Sequence, residues 1–426
     1  MRSSVGKGYS RKWIIALCSV VYFVSYFSRK DFAAAMAGMI SDGAVARTDA
    51  GLVGTMLFAF YGIGQLISGY LGDKMKPRTL ILIGLSITAG CNALMPLIPG
   101  GVMIIVWGIN GLAQAMLWPP IVKILSTYLD HDTYVTANLI VTSAAHVATV
   151  LLYAYVPICL SFMGWQTVFY TASALALLSM IVFALAMLVV LPESVGDGVD
   201  ENAPTEHKES REVATEGDNI LTVLRKSGVF TVFVCIIVVG FLRDGIESWL
   251  PVLYSEAFGK GASESTLVSI ILPVFSIFSI ALVTALHRKG ILRNEVVGSA
   301  LLFAISLAVA VPLISFVNMD GAFFRVAVLF ITAFICAAMH GINFLLISCL
   351  PGRFARTGRS ATVSGVCNSC VYVGAAVSTY GIALISEHMG WSATIATWCA
   401  ILVLGIVFAL LSRRKYTAMV NAEDNE

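Results

Sequence analysis

Charged side chains are scarce in this chain. Only 12% of its 426 residues are Asp, Glu, Lys or Arg, about half the share found in a soluble domain. With so few charges, a water-soluble fold would lack the polar cover that its apolar surface requires. A soluble enzyme, a secreted disulfide scaffold and a disordered chain are therefore excluded. A basic excess is also missing. The net charge is +2, too little to meet a phosphate backbone, which argues against nucleic acid as a partner. The nine cysteines make no disulfide framework, because their number is odd and each lies in an apolar run, where free cysteine packs as a small hydrophobe. Cys367 and Cys370 have redox spacing, but no strand–helix–strand pattern surrounds them. The six histidines are scattered without metal-ligand spacing, and no glycine-rich phosphate loop occurs. The sequence thus implies no metal, no cofactor and no ATP-driven step.

What is abundant is apolar surface. Hydrophobic residues make up 58% of the chain, with a mean hydropathy of +0.86. They lie in continuous runs of about twenty residues, the length of a membrane-spanning helix and not of a barrel strand. The expected spans are 13–40, 51–72, 79–98, 102–127, 134–160, 166–191, 228–250, 264–287, 295–317, 321–350, 360–386 and 391–412. Arg29, Lys30 and Asp31 separate the first run from the small residues 33–37, so that run is expected to be an uncleaved helix and not a signal peptide. The fold class is thus all-α: twelve transmembrane helices in a polytopic membrane protein.

Twelve spans put both termini on one side. Of 27 Lys and Arg residues, 20 fall in loops on that side and two, Arg47 and Lys260, on the other. That asymmetry places the termini in the cytoplasm. The only long polar stretch, 193–226, is expected to be a charged cytoplasmic linker between an N-terminal six-helix bundle (1–192) and a C-terminal one (227–426).

The halves read as a repeat. Met163-Gly164-Trp165 opens the sixth span and Met389-Gly390-Trp391 the twelfth, 226 residues on. Arg29 in the first span has a counterpart in Arg243 in the seventh, 214 residues on. Parallel repeats about an axis along the membrane normal characterise one large transporter fold. Such an axis would bring the two arginines to similar depth, facing one central cavity.

An ionisable residue deep in a span costs about 2.5–3.5 kcal/mol on insertion scales and is a functional candidate by default. Arg29 lies sixteen residues beyond Trp13, roughly 24 Å at helical rise, which puts the cytoplasm out of its reach. Guanidinium presents a rigid fork that matches phosphate, so two such forks describe a site for a dianion. For Arg243 the alternative is an internal salt bridge to Asp244 or to Glu247 at i+4. Arg29 has only Asp31 nearby, which at i+2 points away. Lys30 either lines the site or pairs with Asp31. Tyr22, Tyr26 and Arg29, at i, i+4 and i+7, share one helix face, and Tyr61 and Gln65 form a similar pair on span two. His146, with Thr142 and Ser143 nearby, either binds substrate, carries a proton or is a satisfied core histidine. Lys123 is either at the substrate's way in or a snorkelling anchor.

Two sets of motifs carry a family resemblance. Gly69-Tyr70-Leu71-Gly72-Asp73-Lys74-Met75-Lys76-Pro77-Arg78 resembles the G-x-L-x-D-[RK]-x-G-[RK]-[RK] loop of the major facilitator superfamily and departs from it at Lys76 and Pro77. In that family the loop forms a cytoplasmic latch, which implies gating roles for Gly69, Asp73, Lys74 and Arg78. The matching stretch of the second half, His287-Arg288-Lys289-Gly290, keeps the charge but lacks the acid. Tyr26-Phe27-Ser28-Arg29-Lys30-Asp31-Phe32, Asn110-Gly111-Leu112-Ala113-Gln114 with Trp118-Pro119-Pro120 and Lys123, Ala145-His146, and Leu242-Arg243 with Trp249-Leu250-Pro251 together resemble organophosphate:phosphate antiporters, the glycerol-3-phosphate and hexose-phosphate transporters. The resemblance implies a monomeric carrier in the cell inner or plasma membrane. It would exchange an organophosphate for inorganic phosphate by alternating access, with Arg29, Lys30, Tyr22, Tyr26, Tyr61, Gln65, Lys123, His146, Arg243, His340 and Tyr372 around the substrate. Gln65 replaces a lysine of some members, and His340 stands where the family places a tyrosine. The rival readings are a proton-coupled transporter of another organic anion, with His146 or Glu247 as carrier, and a transporter-like sugar-phosphate sensor. A membrane enzyme has no nucleophile–base pair to support it.

Overall fold

The structure is a computed structural model that describes residues 9–190, 229–357 and 360–424; the expected linker, 193–226, lies outside the described residues. Every described element is helical. Ten stretches among the described residues are long and apolar enough to cross a membrane. One of these runs over 58 residues, Val363–Val420, and holds two spans. The first helix, with Arg29, Lys30 and Asp31 in its middle, stands outside the ten. Together these give the twelve expected spans.

The chain forms two compact units, Met1–Glu201 with Ala262–Leu267, and Asn202–Gly261 with Val268–Glu426. In the first unit the helices are α1 (Tyr9–Ser41), α2 (Arg47–Lys74), α3 (Pro77–Leu94), α4 (Gly100–Ala115), α5 (Trp118–Tyr128), α6 (His131–Phe162) and α7 (Gln166–Val190). From Val229 onward come α8 (Val229–Phe258), α9 (Ala262–Val268), α10 (Ile271–Arg288), α11 (Glu295–Ala310), α12 (Leu313–Phe316), α13 (Ala322–Asn343) and α14 (Ser360–Asp424). Helix α14 is two arms that meet at Gly390 (φ 81°).

Prolines break several spans that the apolar runs suggested were continuous. The fourth is α4 followed by α5, because Pro119 and Pro120 have no N–H to give and fit only the first turn of a new helix. Pro312 divides α11 from α12 in the same way. The tenth span rewinds after α13 into a π-helical turn, Phe344–Cys349, and then a 3₁₀ stretch, Leu350–Thr357, that includes Pro351.

Both units repeat one pairing scheme. In the first, α1 packs on α6, α2 on α4 and α3 on α7. In the second, α8 packs on α14, α10 on α13 and α11 on α14. Span by span, this is first with fifth, second with fourth and third with sixth. Glycines allow the closest approaches. A Cβ on Gly111 of α4 would strike the Leu57 carbonyl of α2, and one on Gly341 of α13 would lie 2.8 Å from Val283 of α10. Helices α8 and α14 meet backbone to backbone, with Gly240 against the Val371 carbonyl and Gly374 against that of Ile237. The two Met-Gly-Trp motifs share a backbone as well: Gly164 (φ 87°) and Gly390 (φ 81°) are both in the left-handed region that only glycine enters without cost.

Candidate functional site

In the first unit, helix α1 carries the candidate residues. Its Ser28 carbonyl accepts from Asn110 Nδ2 of α4 (3.2 Å) and from Asn92 Nδ2 of α3 (3.4 Å). Ser25 donates to Gln114 Oε1 (2.5 Å), whose amide reaches Thr88 of α3 (3.3 Å). These buried side-chain bonds fix the turn that bears Arg29. The Asn110–Gln114 stretch of the sequence therefore positions α1, and Thr88 and Asn92 act with it, although no motif marks them.

Arg29 is buried, with 7% of its surface exposed. Its guanidinium lies 4.1 Å from the Tyr26 ring centre and 4.8 Å from that of Tyr61 on α2. Tyr22 meets Tyr26 edge to face at 5.1 Å and packs on Trp118 of α5 at 4.6 Å. The i, i+4, i+7 face is thus one connected group, and Tyr61 joins it from the second span. Lys30 is buried beside Arg29. Asp31 is fully buried and turns to its own backbone, where Oδ1 accepts the Phe32 N–H (2.8 Å) and Oδ2 has no hydrogen-bond partner. Gln65 is half-buried on α2, and Lys123 is exposed on α5. His146 Nδ1 donates to the Thr142 carbonyl of its own helix (3.0 Å), while the Thr142 and Ser143 hydroxyls bond to Asn138 and Leu139 carbonyls.

In the second unit, the candidate residues form a ladder between α8 and α13. Arg243 donates from Nη1 to Asn343 Oδ1 and from Nη2 to Asp244 Oδ2, both at 2.7 Å. Of the two acids that the sequence offered it, Asp244 makes this ion pair. Glu247 Oε1 instead bonds His340 Nε2 at 2.7 Å, with Cys336 Sγ 3.9 Å from the same oxygen. Cys336, His340 and Asn343 follow at i, i+4 and i+7, so one face of α13 meets Arg243, Asp244 and Glu247 of α8. Tyr372 of α14 is half-buried and within electrostatic reach of Arg243. The halves differ in charge. Arg29, Lys30 and Asp31 sum to +1, whereas Arg243, Asp244 and Glu247 sum to −1.

At the latch motif, α2 continues through Lys74 and α3 starts at Pro77, so only Met75 and Lys76 are outside helices. The side chains at Gly69, Asp73 and Lys74 lie outside the described residues; Arg78 is half-buried in the first turn of α3. The second half does have an acid, one that the sequence pattern did not reveal. Glu295, buried at the start of α11, takes Arg353 Nε (3.1 Å) and Nη2 (3.0 Å), the Tyr416 hydroxyl (3.0 Å) and, at 3.4 Å, His287 Nε2. Only its place as an acid in a first helical turn could have marked it.

The sequence pattern of the Major Facilitator Superfamily matches residues 18–379. The chain belongs to this superfamily. A probable hexose phosphate transport protein of Chlamydia muridarum is 22% identical over 415 residues, 91% of this chain and 88% of that protein. The glycerol-3-phosphate transporter of Bacillus subtilis is 28% identical over 253 residues, 56% of each chain. The membrane sensor protein UhpC of Salmonella typhimurium is 22% identical over 90% of this chain and 87% of its own. Among solved structures, a bacterial homologue of the human lysosomal transporter Spinster superposes with a TM-score of 0.72 at 14% identity, covering 98% of both chains. This major facilitator protein therefore has the twelve-helix, two-bundle fold and resembles organophosphate:phosphate antiporters. Its relatives include transporters of hexose phosphate and of glycerol 3-phosphate and a membrane sensor, and are not enzymes.

Proposed function

We propose that the chain is a secondary transporter that exchanges an organophosphate, a sugar phosphate or glycerol phosphate, for inorganic phosphate by alternating access. The observation that carries this reading is the Arg29 guanidinium, buried within a span with its carbon over the rings of Tyr26 and Tyr61. Stacking engages the faces of the guanidinium, and an oxyanion is taken by its edge. Closing the carrier takes the binding cations further from water at a cost in free energy, and a bound phosphate dianion offsets that cost, so the occupied carrier changes state more readily than the empty one, and exchange follows. Arg243 is the second binding arginine, with Lys30, Tyr22, Gln65, His146, His340, Tyr372 and Lys123 completing the substrate path. Gly69, Asp73, Lys74 and Arg78 gate it. Residues 1–192 and 227–426 are the two bundles, 193–226 a cytoplasmic linker, and the termini of a monomer in the cell membrane face the cytoplasm.

The match to a membrane sensor over nine-tenths of the chain favours one alternative, a receptor that binds sugar phosphate without moving it. Counterflow in proteoliposomes loaded with phosphate separates the two. Trans-stimulated phosphate uptake supports exchange, and binding without flux supports the sensor. Uptake driven by a pH gradient with no internal phosphate would refute obligatory exchange.

A further inference from the structure

Arg243 sits in a group whose charges oppose an incoming anion. Asp244 and Glu247 supply two negative charges against its one positive, and a phosphate dianion would add two more. We propose that the Glu247–His340 pair is a proton-binding site loaded together with the anion, so that the second unit takes up a proton whenever phosphate binds at Arg243. The inference rests on the phosphate reading above and adds the ion that moves with the substrate.

Three observations carry it. The His340 Nε2 to Glu247 Oε1 distance is 2.7 Å, within reach of a charge-assisted N–H···O bond, so a proton gained by the imidazole is met directly by the carboxylate. Both members stand one helical turn from the fork. Glu247 follows Arg243 by four residues on α8, and His340 precedes Asn343, the Nη1 acceptor, by three on α13. A charge gained by the pair is therefore felt at the guanidinium from both helices. Finally, the surroundings offer no better carrier among the described residues. On α8, Asp244 is committed to Arg243, and Glu256 accepts from Trp391 Nε1 (2.9 Å). On α13 the neighbour is the Cys336 thiol, and α14 contributes the Tyr372 phenol. Helix α10 presents the Ser279 hydroxyl to the Ala337 carbonyl (2.6 Å), and its His287 belongs with Glu295 of α11. Imidazole is the side-chain type whose charge changes near neutral pH. Protonation of the pair brings the local sum from −1 to zero and leaves Asp244 as the one carboxylate that competes with the anion for Arg243. The first unit, at +1, needs no such device.

The test is calorimetric titration of the purified full chain with phosphate at alkaline pH, where phosphate is the dianion, in two buffers of different ionisation heat. About one proton should be taken up per phosphate bound, and affinity should rise about tenfold per unit fall in pH across the range where the pair titrates. Glu247→Gln and His340→Gln should still bind phosphate, more weakly and without the uptake, with thermal unfolding recorded to confirm folding. Repeating the titration with sulfate, which gains no proton itself, places the uptake on the protein even if both variants fail to fold. Phosphate binding without proton uptake, or uptake unchanged in both folded variants, overturns the inference alone. No phosphate binding by the unsubstituted protein overturns the phosphate reading with it.

Discussion

Substituting Tyr61 separates two ways in which a tyrosine can serve an anion site. If the ring matters, it does so by holding the Arg29 guanidinium flat; if the hydroxyl matters, it touches the substrate. Tyr61→Phe keeps the ring face and removes the hydroxyl, whereas Tyr61→Leu removes the face and keeps most of the bulk. The guanidinium carbon is 4.8 Å from the Tyr61 ring centre and 4.1 Å from that of Tyr26, inside the ~6 Å reach of the interaction. Arg29 is only 7% exposed, so each face belongs to the desolvated end of the scale, about 2 kcal/mol. Tyr61 is the more distant ring, and we take about 1–2 kcal/mol for it. At about 1.4 kcal/mol per factor of ten, Tyr61→Leu should weaken phosphate binding roughly 5- to 30-fold. Tyr61→Phe should stay within about twofold, since the face persists. Equilibrium binding to purified protein gives the affinities, and thermal unfolding shows whether each variant is intact. Equal losses in both variants would refute the stacking account and assign the role to the hydroxyl. An unchanged Leu variant would show that the ring does not orient the fork.

Arg29→Lys and Arg243→Lys keep the charge but not the fork. Each should lose a charge-assisted bond of about 1.5–3 kcal/mol and with it about 10- to 150-fold in phosphate affinity, and full affinity in both would end the two-arginine reading. Gly374→Ala drives a Cβ onto the Ile237 carbonyl, whereas Gly365 on the same helix has open space around it. The first change should destabilise by about 1–3 kcal/mol and the second stabilise by about 0.5–1 kcal/mol; thermal shifts of the same sign would refute the backbone contact. Asp73→Asn should slow counterflow while leaving phosphate affinity within about threefold, because a latch acts on the conformational equilibrium and not on the site; normal flux with lost binding would assign it elsewhere. Single-cysteine probes at Lys260 and Lys289 should react with an impermeant reagent from outside and from the cytoplasm respectively, and labelling of both from one side would refute the orientation.

The spans were legible because an apolar run of about twenty residues permits few other readings in a membrane. Their breaks were less so, since a proline in such a run marks a kink without saying whether the helix resumes in line. The Arg29 face was legible from spacing, because Tyr22, Tyr26 and Arg29 share a helix whose periodicity is known in advance. Its lining from α2 was half legible: Tyr61 was paired with Gln65 on span two, and nothing in the spacing brought its ring to Arg29. The partners that reach Arg243 and Glu247 from another helix were not legible. Asn343 lies 100 residues from Arg243 and His340 lies 93 from Glu247, so only the packing of α8 on α13 makes them neighbours. On one helix, Glu247 at i+4 and Asp244 were equal candidates for Arg243; His340, arriving from the other helix, is what engages Glu247.

Glu295 has a consequence for how the second half is free to drift. In the first half Asp73 lies in the last turn of α2, next to a connection of two residues, and a change in length there would displace it. In the second half the carboxylate is anchored in the first turn of α11 and reached by His287, Arg353 and Tyr416 from three other segments. Between His287 and Glu295, Leu292 packs in an apolar cluster, the Arg293 carbonyl accepts from Arg353 Nη2 (3.0 Å) and Asn294 caps α11, so only the exposed Arg288, Lys289 and Ile291 are left free to vary. The constraint falls instead on four scattered positions that must change together. Loss of Glu295 would leave an arginine, a phenol and an imidazole to find new partners at once, and so should be rare unless Arg353 changes in the same lineage.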